Sequence, residues 1–205
     1  YNLLRTEGTA GYMNTGVWAS KAIKEAKVVG TTKVVASSED KKYSYIPKDF
    51  AIGNDLDYLH ITSNNTIYGT QMKKFPVTSV PLVCDMSSDI FSRKIDGKQF
   101  GLIYAGAQKN MGPAGATMIA VKESLLGKTG RTMLSMLDYK VHIQGNSMYN
   151  TPPVFPIYVS LLTMQWLKKN GGVEWIEGVN NKKASTLYAE IDRNSMFKGT
   201  TEKED

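Results

Sequence analysis

Cysteine is all but missing from this 205-residue chain: Cys84 stands alone, so no disulfide can form within it. Histidine is nearly as scarce, with only His60 and His142, and neither falls in a cluster with metal-ligand spacing, so no metal centre is expected. There is no run of about 18 apolar residues and no signal-peptide pattern, which argues against a spanning helix and fits a reducing, cytoplasmic setting. A concentrated block of positive charge is also absent. The formal charge is +6, yet the lysines are scattered singly or in pairs (Lys21, Lys24, Lys27, Lys73, Lys74, Lys182, Lys183), so neither nucleic acid nor a membrane surface is an expected partner. Two decoys fall away as well. Gly127, Lys128 and Thr129 imitate the end of a phosphate-binding loop, but Lys122 stands where that loop needs its first glycine. Asn64, Asn65 and Thr66 form a glycosylation sequon that has no meaning without secretion.

What is present is enough apolar material for a core, 41% hydrophobic against 21% charged residues, arranged in alternating strand and helix patterns. Strands are expected at Ala10 to Met13, Thr32 to Ala36, Asp57 to Thr62, Val80 to Cys84 and Leu102 to Ala105, with Thr117 to Val121 as a return strand. Helices are expected at Trp18 to Val28, at Thr151 to Lys169 before the stop signal Asn170-Gly171-Gly172, and at Val173 to Ile191. His60 falls mid-strand and His142 in a loop. The layout is α/β.

The segment Gly101 to Gly115 carries the strongest chemical signal, because an apolar strand delivers Gln108, Lys109 and Asn110 directly into a Gly/Pro stretch that must turn. A lysine seated among small residues at a strand end is unfavourable as a free ammonium, and covalent use as a Schiff base resolves the conflict. A solvated loop lysine is the plain alternative. A second strand ends in Asp85, which could equally cap its own turn. In open α/β sheets, ligands bind outside the carboxyl ends of the strands, so Asp85 and Lys109 can reach one crevice. Pyridoxal 5'-phosphate asks for both groups, a lysine for its aldehyde and a carboxylate for its ring nitrogen.

The strings GVWASKAIKEAK (16 to 27), NNTIYG (64 to 69), YAGAQKNMGPAG (104 to 115) and SMYNTPPVF (147 to 155) resemble the phosphoserine aminotransferases, pyridoxal-phosphate enzymes of the aspartate aminotransferase fold type. The resemblance implies a three-layer α/β/α large domain with a mostly parallel mixed sheet over residues 1–174, its N-terminal portion absent. It also implies the start of a small α/β domain over 175–205. It implies a homodimer acting on glutamate and a phosphorylated keto acid in serine biosynthesis. Residue by residue, Lys109 matches the Schiff-base lysine, Asp85 the carboxylate at the ring nitrogen, and Trp18 the aromatic ring stacked on the cofactor. Thr66 matches a donor to the phenolic oxygen and Gln108 a residue near the phosphate. Asn150 and Thr151 match a pair reaching the phosphate of the other subunit's cofactor.

Each assignment has a plainer reading. Trp18 can be a core tryptophan, Thr66 and Gln108 turn residues, and Thr151 the cap of the helix that follows it. Ser63, Asn65 and Tyr68 depart from the family's proline and acidic residues, and Lys94 from a proline after Ser-Arg. The chain reads as an internal fragment, and none of Arg5, Arg93, Arg131 and Arg193 is assigned to a substrate. Another pyridoxal-phosphate transaminase or lyase of the same fold, and a non-enzymatic anion binder, stand as alternatives.

Overall fold

Alternation of apolar and polar residues gives most strands of this chain two usable faces, and the sheet they build is covered differently on each. The computed structural model describes residues 1–205. In chain order the elements are β1 (Thr9–Asn14), α1 (Val17–Val29), β2 (Thr31–Ser37), β3 (Tyr58–Thr62), β4 (Asn64–Asn65), β5 (Thr70–Gln71), β6 (Leu82–Asp85), β7 (Leu102–Gly106), β8 (Thr117–Val121), α2 (Tyr139–Gln144), α3 (Val154–Lys169) and α4 (Gly172–Arg193). Six strands form one sheet in the order β2-β1-β3-β6-β7-β8, all parallel except β8, which returns antiparallel to β7. β4 and β5 make a separate short hairpin.

The face carrying Leu59, Ile61, Leu82, Cys84, Ile103 and Ala105 is the main core, closed by Met72, Met86, Phe100 and Met111. Burial of these apolar side chains is the main favourable contribution to the fold, on the order of 25 cal/mol per Å² removed from water. The opposite face packs Ala10 and Tyr12 against Ile23 of α1 and Leu4. It also carries a row of polar aromatics, Tyr12, Tyr58, His60 and Tyr104, whose stems bury while their tips find partners.

Because β2 lies on one side of β1 and β3 on the other, the strand order reverses beside β1. Such a switch point opens a crevice outside the carboxyl ends of the strands, where the loops leave in opposite directions. Asn14, Thr62, Asp85 and Gly106 end β1, β3, β6 and β7 along that edge.

Three expectations are corrected. The helix expected from Thr151 begins at Val154, with Pro153 at its N-cap and no side-chain cap. Each proline disfavours helical backbone at the residue before it, which holds Thr151 and Pro152 out of the helix. Thr151 therefore caps nothing. His142 lies in α2 rather than in a loop, since Asp138 accepts from Lys140 N and starts a short helix there. Trp18 is 48% exposed, so it is not a core residue of α1. Strand and helix ends otherwise agree to within two residues with those read in the sequence, and α4 runs unbroken across the 174/175 position.

Candidate active site

The carboxyl edge of the sheet is tied together by small polar side chains that the loops place against one another. Asp85 ends β6, and its Oδ1 accepts from the Ser87 amide at 2.9 Å, an Asx turn that leaves its other oxygen uncommitted to the turn. The Ser87 Oγ in turn accepts from Gly106 N at 3.2 Å, clamping the end of β7 to the turn after β6. Lys109 follows three residues later. Its loop is closed by Ala107 N to Ala116 O at 2.9 Å and anchored by buried Met111. Asn110 Nδ2 donates to Ile90 O at 3.0 Å, and Gly115 supplies a positive φ of 118° for the return.

Held at both ends, this loop leaves Gln108 and Lys109 as its projecting members. Both are exposed, and Lys109 makes no hydrogen bond or ion pair. The burial expected for its amine is not seen: the loop lifts it clear of the sheet instead.

The hairpin carrying Thr66 is pinned with equal care. Asn65, 2% exposed, donates to Thr15 Oγ1 at 3.3 Å and to Thr70 Oγ1 at 3.0 Å. Ser63 donates through its amide and its hydroxyl to Asp85 O, each at 3.0 Å, and its hydroxyl also meets the buried Asp89 carboxylate. Asn64 Nδ2 donates to Ser88 Oγ at 3.0 Å. Burial pushes the Asp89 carboxyl up, against the opposing pull of the Ser63 hydroxyl and Arg93.

These links join the turn before α1, the 64–71 hairpin, the turn after β6 and the loop after β7. Thr66, Gln108 and Lys109 sit on those segments, Asp85 ends β6 beside them, and Trp18 lies in the first turn of α1, all at one edge of the sheet. Asn150 and Thr151 do not join the mesh. They lie exposed before α3, where Asn150 bonds only Thr151 O.

The donor set fits an aldehyde cofactor with an anionic tail and a basic ring nitrogen. A lysine amine stands free, a carboxylate has an oxygen to spare, and a half-exposed indole offers a flat face. Thr62, the register partner of Asp85, adds a buried hydroxyl with no hydrogen-bond partner. Cys84 is not part of this set, because burial among apolar neighbours raises its thiol well above the usual range and it faces the core.

Comparison with known proteins gives the family. The aminotransferase class-V family matches residues 1–205. The chain belongs to the class-V aminotransferases. It is 63% identical to the phosphoserine aminotransferase of Flavobacterium psychrophilum and 61% identical to that of Flavobacterium johnsoniae, over its whole length and 58% of theirs. A solved phosphoserine aminotransferase, studied for radiation damage of its Schiff base, superposes with a TM-score of 0.96 at 46% identity, over 99% of this chain and 57% of that one. The pyridoxal-phosphate-bound enzyme of Trichomonas vaginalis gives 0.92 at 30% identity, over 99% and 58%. The chain thus spans a little over half the length of the relatives it matches.

Sequence reasoning singled out the projecting residues of this class-V aminotransferase chain and missed the ones that hold them. Ser63 and Asn65 read only as departures from the family pattern, and Thr15 and Ser87 are given no role by the sequence. Their only signal is that each short polar side chain lies within two residues of a strand end or opens a hairpin. Lys94, another departure, pairs with Glu174 at 2.9 Å and its amide donates to Glu177, bracing α4 rather than the site.

Proposed function

We propose that the protein containing this chain transfers an amino group from L-glutamate to 3-phosphohydroxypyruvate, yielding 2-oxoglutarate and phosphoserine with pyridoxal phosphate as cofactor. The observation that carries the reading is the clamp from Asp85 through Ser87 to the end of β7, which fixes a carboxylate and the lysine-bearing loop on neighbouring parallel strands. The names of the relatives supply the substrates.

When bound, the cofactor supplies a carbonyl that takes up the amino group and an electron-poor ring that spreads the charge left by a departing α-proton. Lys109 would hold it covalently and, once freed, carry the proton at the substrate α-carbon. Asp85 would keep the ring nitrogen cationic. Trp18 would stack on the ring, Thr66 would donate to its phenolic oxygen, and Gln108 would face its phosphate. Asn150 and Thr151, exposed and outside the mesh, would complete the phosphate site of a second copy in a homodimer. Residues 1–174 then belong to the cofactor-binding large domain. Residues 175–205, starting inside α4, lead into the small one, and the reaction belongs to the cytoplasm.

The test uses the full-length protein. It should show a visible absorption band, lose the band on borohydride reduction, and carry the pyridoxyl adduct on the peptide containing Lys109. An adduct on any other lysine removes the site, and a protein with no band removes the class of chemistry.

A further inference from the structure

Beneath Asp85, on the same face of the sheet, runs a chain of polar aromatics in which His60 is buried and Tyr104 partly so. His60 pairs in register with Val83, and Asp85 with Tyr104. Residues two apart on a strand share a face, so His60, Asp85 and Tyr104 all point to one side. His60 and Tyr104 lie on β3 and β7, with β6 between them, a separation of roughly 9.6 Å from strand to strand. The Tyr104 side chain crosses β6 to meet His60, with its hydroxyl 3.0 Å from Nε2 and ring centroids 5.9 Å apart. The crossing takes that hydroxyl past Asp85, its register partner on β6.

The protons in this chain can be assigned. His60 is 4% exposed, and burial holds it neutral against the pull of Asp85, so it carries a single N–H. Its Nδ1 is buried without a partner. A proton there would be an orphaned donor, whereas a proton on Nε2 is met by the Tyr104 oxygen, so Nε2 is the protonated nitrogen. Tyr104 then accepts from His60, and its own proton is free to point at Asp85. Burial and the Asp85 charge both keep the phenol protonated. The Ser87 amide bonds one carboxylate oxygen, and the Tyr104 hydroxyl flanks Asp85 from β7 with its proton not taken by His60.

We propose that Tyr104, oriented by His60, is a positioning residue that aims the Asp85 carboxylate at the cofactor's ring nitrogen and keeps it the anionic partner there. The inference rests on the reading of Asp85 given above. A hydroxyl proton turned towards Asp85 would stabilise the carboxylate, so that a proton shared with the cofactor would stay on the ring nitrogen. Tyr12, tilted against His60 with centroids 5.0 Å apart, closes the other side of the imidazole.

The experiment compares full-length holoenzyme with Tyr104→Phe, which deletes one hydroxyl and keeps the ring. In Tyr104→Phe the Lys109 adduct is retained and KM for glutamate is unchanged. Its kcat falls about tenfold, as expected for one lost hydrogen bond to a charged group. The ¹⁵N resonance of labelled pyridoxal phosphate moves from its protonated towards its unprotonated position. In an Asp85→Ala background the same change adds nothing to either readout. Unchanged kcat and resonance in Tyr104→Phe would overturn the proposal, as would an equal loss in the Asp85→Ala background, which marks a merely structural role. If Asp85→Ala itself leaves the resonance where it was, the reading of Asp85 fails and takes the proposal with it. Should Tyr104→Phe not fold, the resonance in His60→Gln decides in the same way.

Discussion

Lys109 owes its freedom to its neighbours: Met111 is buried, Asn110 is bonded to Ile90 O, and the amine between the strand and these anchors has nothing else to do. Under the proposed function, replacing it by alanine removes both the covalent hold and the proton carrier. Lys109→Ala should lower the transamination rate by on the order of 10² to 10⁴ from proton transfer alone, measured as single turnovers with glutamate. An unaltered rate would show that another group moves the proton. His60 makes a prediction about stability. Burial pushes it from 6.5 down to about 4, so between those values the unfolded chain binds a proton that the folded chain refuses. Stability contributed by neutral His60 is complete above the unfolded value and is lost as pH falls towards the folded one. The loss approaches about 3 kcal/mol at most, and urea midpoints should fall over that window. In His60→Gln that part of the slope should vanish, and a slope equal to wild type would assign the loss to other groups. Lys109 was legible at this scale because its run of neighbours is distinctive. His60 was not, because a lone strand histidine looks the same whether its ring nitrogens are satisfied or put to use.

At the scale of elements, the 64–71 hairpin is too short to be stable by itself and depends on one buried side chain. Asn65 bridges Thr15 and Thr70, so Asn65→Ala strands buried partners and should cost about 1–3 kcal/mol in urea unfolding. Because the same asparagine ties the turn before α1 to the hairpin, the variant should also loosen Thr66 and weaken cofactor binding. Unfolding and binding that both match wild type would place the anchor elsewhere. The strands were readable from alternation and apolar runs, since period-two patterning is a local property. The start of α3 was misread, because the capping preference of Thr151 competes with the backbone restriction of two following prolines, and the prolines win. The return strand β8 was readable from its length and spacing, whereas its antiparallel register against β7 is a property of the pair.

For the whole molecule, the exposed apolar side chains of α3 (Phe155, Tyr158, Leu161, Trp166) form more uncovered surface than a lone domain carries comfortably. This 205-residue chain expressed by itself should self-associate, and a monomer by sedimentation at micromolar concentration would contradict that. The proposed sharing of sites makes a sharper prediction. Lys109→Ala and Thr151→Ala proteins, each impaired alone, should regain roughly a quarter of wild-type activity when unfolded and refolded together, since random pairing gives half the dimers one intact site in two. No recovery would confine Thr151 to its own subunit. By itself the sequence determined the alternation of elements, the lysine and the aspartate at two strand ends, and the family, because these are written in local patterning and in contiguous strings. Only the tertiary structure decided that β6 and β7 are neighbours, that Ser87 clamps one to the other, and that Tyr104 reaches across a strand to His60. Those contacts join residues about 20 to 44 positions apart, and what selects them is strand order and register, which no short stretch of the chain encodes.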